Sequence, residues 1–179
     1  PMADGQVSDD TRLRSALPTI EKLRAKGAIV LLLAHFDRPK GRRVPEMSLE
    51  PIAEPLARLL GAPVAFVADC VGPAVASATA ASKPRAVLLL ENVRYHAGEE
   101  ANDTAFAEQL AATADLYVND AFSAAHRAHA STDGVAHLIP AYAGEAIVDQ
   151  AKAVVYRFPK FARNRFCVQD WKFDPSVKS

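Results

Sequence analysis

Uninterrupted apolar runs alternate with stretches of helical periodicity along most of this chain. Ala28-Ile29-Val30-Leu31-Leu32-Leu33-Ala34 carries no polar residue. A continuous run, unlike an alternating one, marks a strand buried on both faces. Before it, Leu17, Ile20 and Leu23 share one helical face. Pro18 is placed for a first turn, where a missing N–H costs nothing, and Gly27 is placed to end the helix. After it, Leu49, Ile52, Ala53, Leu56, Leu59 and Leu60 follow helical spacing, with Ser48 as a cap. Pro55 falls inside that pattern, so the spacing predicts a late start or a bend. The alternation then repeats. Residues 64–67 and 86–90 read as strands, 73–82 and 103–114 as helices, and 116–118 as a short strand. Buried strands alternating with helices predict an α/β fold built on a parallel sheet. Ligands of such sheets bind beyond the carboxyl ends of the strands.

Three strand ends open into loops of one chemical kind. They are His35-Phe36-Asp37-Arg38-Pro39-Lys40-Gly41, Glu91-Asn92-Val93-Arg94-Tyr95-His96, and Asn119-Asp120 running on to His126-Arg127-Ala128-His129. Arginine offers a rigid fork of donors matched to phosphate and carboxylate. Three arginine and histidine loops at one end of one sheet predict an anion pocket.

Composition narrows the picture. The 179 residues suit one domain, and the formal net charge is zero, which argues against a dedicated nucleic-acid binder. The apolar run at residues 28–34 is too short to cross a membrane, and the start shows no charged-then-apolar leader. Cys70 and Cys167 show no metal-binding or redox spacing, so no metal site and a reduced, cytoplasmic setting are expected. Neither a G-x-x-x-x-G-K-[ST] nor a G-x-G-x-x-G pattern is present, so these residues show no nucleotide cradle. Residues 1–144 hold 14 Lys/Arg and 17 Asp/Glu, whereas residues 145–179 hold 7 and 4, with six of the thirteen aromatics. This shift sets a domain boundary near Gly144.

The loops and their neighbours resemble the N-terminal domain of the phosphoglycerate kinase family. The matching stretches are Asp9-Asp10-Thr11-Arg12 onward to Ile20, the His35–Gly41 loop, Leu88-Leu89-Leu90-Glu91-Asn92-Val93-Arg94-Tyr95-His96, and Val118-Asn119-Asp120-Ala121-Phe122 running into His126-Arg127-Ala128-His129-Ala130-Ser131-Thr132. The resemblance covers about residues 1–144 and implies a Rossmann-like three-layer fold, with helices on both faces of the sheet. It implies the glycolytic transfer of a phosphoryl group between 1,3-bisphosphoglycerate and ADP, giving 3-phosphoglycerate and Mg-ATP. This chain would carry the glycerate site. Arg38, Arg94 and Arg127 would clamp the substrate, with His35, Phe36 and Asp37 beside them. Arg12 would bind it and neutralise charge on the transferring group, and His126 and His129 would extend the basic patch. No nucleic-acid or membrane partner and a monomeric state are expected. The other readings are a non-catalytic anion-binding module and a partly folded fragment.

Three departures mark the sequence. The family opens on a central strand ending in Asp-Phe-Asn-x-Pro, and this sequence begins at Pro1-Met2, just past it. The expectation is a sheet without that strand, whose neighbours keep unpaired backbone groups. Asp37 stands where the family has glycine, which sets a carboxylate beside the anion pocket. Residues 145–179 do not resemble the family's continuation. Ile147, Val148, Ala151, Val154 and Val155 are spaced for one amphipathic helix there.

Overall fold

The structure is a computed structural model that describes residues 2–3, 6–121, 124, 127–151 and 165–168. Strands β1 (Met2–Ala3) and β2 (Gln6–Val7) form a small antiparallel pair. Among the described residues the main sheet has six strands: β3 (Ile29–Leu32), β4 (Val64–Val67), β5 (Val87–Leu90), β6 (Leu116–Asn119), β7 (Ala141–Ala143) and β8 (Arg165–Val168). They lie in the order β4-β5-β3-β8-β6-β7, and every pairing is parallel. The α/β class with a parallel sheet is therefore as expected.

Alternation along β3 and β5 divides the core. Val30, Leu32, Val87 and Leu89 face one cluster with Ile20, Leu23, Leu56 and Leu60. Leu31, Leu33, Leu88 and Leu90 face the other with Val75, Phe106 and Leu110. The first cluster draws on α1 (Thr11–Ala25) and α2 (Glu50–Leu60), the second on α3 (Gly72–Ala81) and α5 (Thr104–Ala111). Apolar side chains on both faces are why these strands read as unbroken runs. A further turn of helix, α4 (Ala97–Glu100), precedes α5. Asp103 starts α5 by accepting from the Phe106 N–H at 2.8 Å.

Two proline readings change. The helix before β3 begins at Thr11, so Pro18 lies inside it rather than in its first turn. Helix α2 likewise runs through Pro55. Packing of both helices onto the sheet outweighs the cost that proline carries in a helix interior.

The centre of the sheet also differs from the expectation of unpaired neighbours. β8 lies between β3 and β6, with Ile29 opposite Arg165 and Leu116 opposite Phe166. The segment after Gly144 thus supplies a central strand. It also supplies α6 (Glu145–Ala151), which lies against α1. There the Glu145 N–H donates to Thr19 Oγ1 at 2.8 Å, and Lys22 pairs with the Glu145 carboxylate. The helix covers Ile147 and Val148, while Val154 and Val155 lie outside the described residues.

Candidate functional site

The strands β3, β5 and β6 deliver the three polar loops to one end of the sheet. Asn92 holds the first two together. It is fully buried, and its Nδ2 donates to the Phe36 carbonyl at 2.8 Å and the Met47 carbonyl at 2.9 Å. Its Oδ1 accepts from the backbone N–H groups of Phe36 at 3.3 Å and Arg94 at 3.1 Å. Glu91, also buried, accepts from Ser48 Oγ at 2.8 Å and from the Leu49 N–H at 2.9 Å. The loop motif contains both residues, but nothing in their spacing marks them as the scaffold.

Arg94 is almost wholly buried, an unusual state for a guanidinium. Its Nη1 donates to the Asp37 carbonyl at 2.7 Å, and its Nε lies 3.3 Å from Glu100 Oε1. Burial lowers its pKa, opposed by Glu100 and assisted by Arg127. Gly41 closes the same loop, its N–H donating to the Arg94 carbonyl at 3.2 Å. Its φ is +70°, and a Cβ there would meet Ala97 at 2.8 Å, so glycine is required on two counts.

His35 shows that the charges converge. Its pKa is pushed down to about 4, first by burial and then by the nearby charges of Arg94 and Arg127, with Glu99 opposing and His129 adding to the effect. His35 is therefore a neutral imidazole among cations. Glu99 is buried and accepts from the Ser131 N–H at 2.9 Å, and its Oε1 lies 3.7 Å from His129 Nδ1. Thr132 Oγ1 donates to the Arg127 carbonyl at 2.6 Å and fixes that turn.

The sequence-predicted residues thus fall into groups. His35, Arg94, Arg127 and His129 share one electrostatic neighbourhood. Arg38 is exposed, and its charge reaches Arg94. Phe36 is half-buried against the α1/α2 core. Asp37 is exposed with φ +54°, a left-handed conformation that suits glycine and strains other residues. Among the described ion pairs, none joins Asp37 to Arg38. Arg12 is exposed in the first turn of α1, its charge reaching Asp9. No described contact ties Arg12 to the arginine cluster. His126 and Phe122 lie outside the described residues.

Asp120 plays a structural part. Its Oδ1 accepts from the Ala146 N–H at 2.9 Å, and a Cβ on Gly144 would collide with its carboxylate. Burial pushes its pKa up to about 6, against hydrogen bonds from Thr19, Ala146 and Ile147. This sets up opposed pH effects. A raised carboxyl adds stability that is full below its unfolded value of 3.8 and is lost as pH rises through 6. A depressed histidine does the reverse, its contribution present above 6.5 and lost as pH falls through 4. In the shared window the two slopes oppose each other. Asp120→Asn is expected to expose a rise in unfolding free energy with pH, on the order of 1 kcal/mol per pH unit, and His35→Gln a comparable fall. Urea titrations at several pH values between 4 and 6.5 check both signs.

Comparisons with known proteins identify the family and the fold. The family model described as "Phosphoglycerate kinase" matches residues 1–168. A phosphoglycerate kinase of Caulobacter vibrioides is 64% identical over 154 residues, covering 86% of this chain and 39% of that protein. One from Methylobacterium radiotolerans is 59% identical over the same length, covering 86% of this chain and 38% of that protein. The solved phosphoglycerate kinase of Coxiella burnetii superimposes with a TM-score of 0.76 at 38% identity, covering 86% of this chain and 38% of that one. The chain thus spans about two-fifths of the length of the curated relatives it matches. Among the described residues, no helix is long and apolar enough to cross a membrane.

Proposed function

The chain belongs to the phosphoglycerate kinase family, and on that premise we propose that its strand-end loops hold the glycerate substrate of the kinase reaction. The observation that carries this is the setting of His35. A neutral imidazole stands among Arg94, Arg127 and His129. Such a group donates or accepts a hydrogen bond without adding charge, while the guanidinium groups supply the attraction for a phosphate and a carboxylate. Arg38, exposed beside Arg94, completes the clamp. Phe36 and Asp37 set the loop's course, and the Asp37 carbonyl anchors Arg94.

The reaction of the family passes a phosphoryl group between 1,3-bisphosphoglycerate and ADP, with Mg-ATP on the other side. This chain's part is to bind and orient the glycerate and to neutralise charge. Phosphoryl transfer asks for positioning and electrostatics more than for covalent help. Arg12, free of ion pairs among the described residues and close to the start of α1, is assigned the role of neutralising the transferring group. The substrate loops all lie within residues 1–144, and α6 and β8 from beyond Gly144 complete the sheet that carries them.

Calorimetric titration with 3-phosphoglycerate tests the proposal. Arg94→Ala and Arg127→Ala are each expected to weaken binding about tenfold to a hundredfold, the range for one charge-assisted contact. Arg14→Ala serves as the control, since Arg14 is engaged with Asp10 through a 2.7 Å ion pair. No heat at millimolar ligand, or unchanged binding in both arginine variants, would overturn the reading.

A further inference from the structure

A second cluster of side chains lies where β4 and β5 end side by side. Asp69 and Cys70 follow β4, and His96 follows the turn after β5. One donor atom from each of the three lies within 4.8 Å of the others. The spacing in the sequence does not reveal this, because His96 is far along the chain from the adjacent Asp69 and Cys70, and the parallel pairing of β4 with β5 brings them together.

The cluster is held in place. His96 Nε2 is 2.8 Å from Asp69 Oδ1, which also accepts from the Cys70 N–H at 2.7 Å. The His96 ring stacks on Phe106 with centroids 4.8 Å apart. Cys70 is buried, and Asp69 and His96 are each about one-third exposed. Arg43 faces the opposite carboxylate oxygen, Asp69 Oδ2, at 3.9 Å and donates to the Ala68 carbonyl at 2.8 Å. Oδ1 is therefore the atom turned towards the histidine, and Oδ2 keeps a cationic partner.

We propose that Asp69, Cys70 and His96 form a binding site for a borderline divalent cation, Zn²⁺ above all. A thiolate, an imidazole nitrogen and a carboxylate oxygen together are a zinc ligand set, three protein donors leaving a fourth position for water. Tetrahedral zinc at its usual bond lengths spaces its ligand atoms by about 3.4–3.6 Å. The donors here lie within 4.8 Å of one another, and metal binding draws the wider pairs together while His96 and Asp69 part from 2.8 Å. Binding replaces the thiol proton, which leaves to solvent as the sulfur–metal bond forms, so affinity rises with pH. Arg43 on Oδ2 becomes the outer partner that orients the ligating carboxylate. The bound cation fastens the loop after β4 to the loop that carries Arg94, two residues before His96. Mg²⁺, which prefers oxygen donors, is not the expected ligand.

The test uses Co²⁺ as a spectroscopic stand-in on the full chain. A single equivalent is expected to raise a thiolate-to-cobalt charge-transfer band in the near ultraviolet, and Zn²⁺ is expected to abolish it by displacement. Cys70→Ser should remove the band, Cys167→Ser should keep it, and His96→Ala should weaken Zn²⁺ binding on the order of a hundredfold. Metal-free melting of each variant shows that it folds. If Cys70→Ser does not fold, Asp69→Asn takes its place, with the same weakening expected. A wild-type chain without the band, a band that persists in Cys70→Ser, or Zn²⁺ binding unchanged in His96→Ala and Asp69→Asn would overturn the site.

Discussion

A chain cut back to Ala151 is expected to lose its cooperative unfolding transition. The cut removes β8, which lies between β3 and β6 and pairs with both. Without it, the facing backbone groups of Ile29–Leu32 and Leu116–Val118 lose their ladder partners. A buried donor or acceptor left without a partner costs about 1–3 kcal/mol, whereas a whole domain is stable by about 5–15 kcal/mol. A handful of such groups is enough to exceed that margin. Water entering the gap would satisfy some of them but would also wet Val30, Leu31, Tyr117 and Val118, all buried to within 1%. Differential scanning calorimetry decides the matter. A sharp transition within a few degrees of the full chain's would show that β8 carries no such weight. A finer variant is Cys167→Pro, because proline inside a central strand removes a ladder N–H that nothing replaces. Cys167→Ser leaves the ladder intact and is expected to melt with the parent.

The second large effect is expected at Asn92. Replacing it by alanine leaves the carbonyls of Phe36 and Met47 and the N–H groups of Phe36 and Arg94 without their partner. The cavity stays buried, so the loss is set by unsatisfied groups more than by missing contact area. About 3–5 kcal/mol of stability should go, measurable as a lower urea midpoint at unchanged slope. A loss under about 1 kcal/mol would show that the loops hold each other by other means. The same substitution should weaken 3-phosphoglycerate binding more than Arg127→Ala does. It releases the loop that carries His35 and Arg38 as well as the turn that carries Arg94. Asn92→Asp is the informative companion. It keeps both accepting bonds but turns a carboxylate oxygen towards two carbonyls, so it should fall between wild type and alanine only if the donor pair matters.

Much of the fold is legible in the sequence where local pattern and tertiary role coincide. The runs at β3 and β5 are apolar because both faces of the sheet are covered, and periodicity alone is enough to find them. α1 is misjudged at its start because Pro18 reads as a boundary, while the helix is set by burial of Ile20 and Leu23. β8 is illegible for another reason. Its four residues, Arg165-Phe166-Cys167-Val168, lie in a tail of mixed basic and aromatic character, and only pairing with distant strands makes them a strand. At the candidate site the arginines and histidines are legible because their chemistry is unusual at strand ends. Asn92, Glu91 and Glu99 are not, since a polar residue reveals a scaffolding role only when its hydrogen bonds are seen. Asp37 lies between these cases. Its identity stands out in the loop, whereas its left-handed backbone shows only in three dimensions.

The order of the strands has a consequence in time. β8 follows β3, β4, β5, β6 and β7 in the chain yet lies between β3 and β6. As synthesis proceeds, the β4-β5-β3 half and the β6-β7 half can each assemble from neighbouring segments. The sheet itself is joined across β3 and β6 only after residue 168 has emerged. Contacts of such long sequence separation form late, because closing the intervening loop costs entropy before any pairing rewards it. Until then β3 and β6 present open edges, the kind of surface that pairs with other chains. The nascent protein should therefore be most prone to aggregate in the interval between the completion of β7 and the arrival of β8.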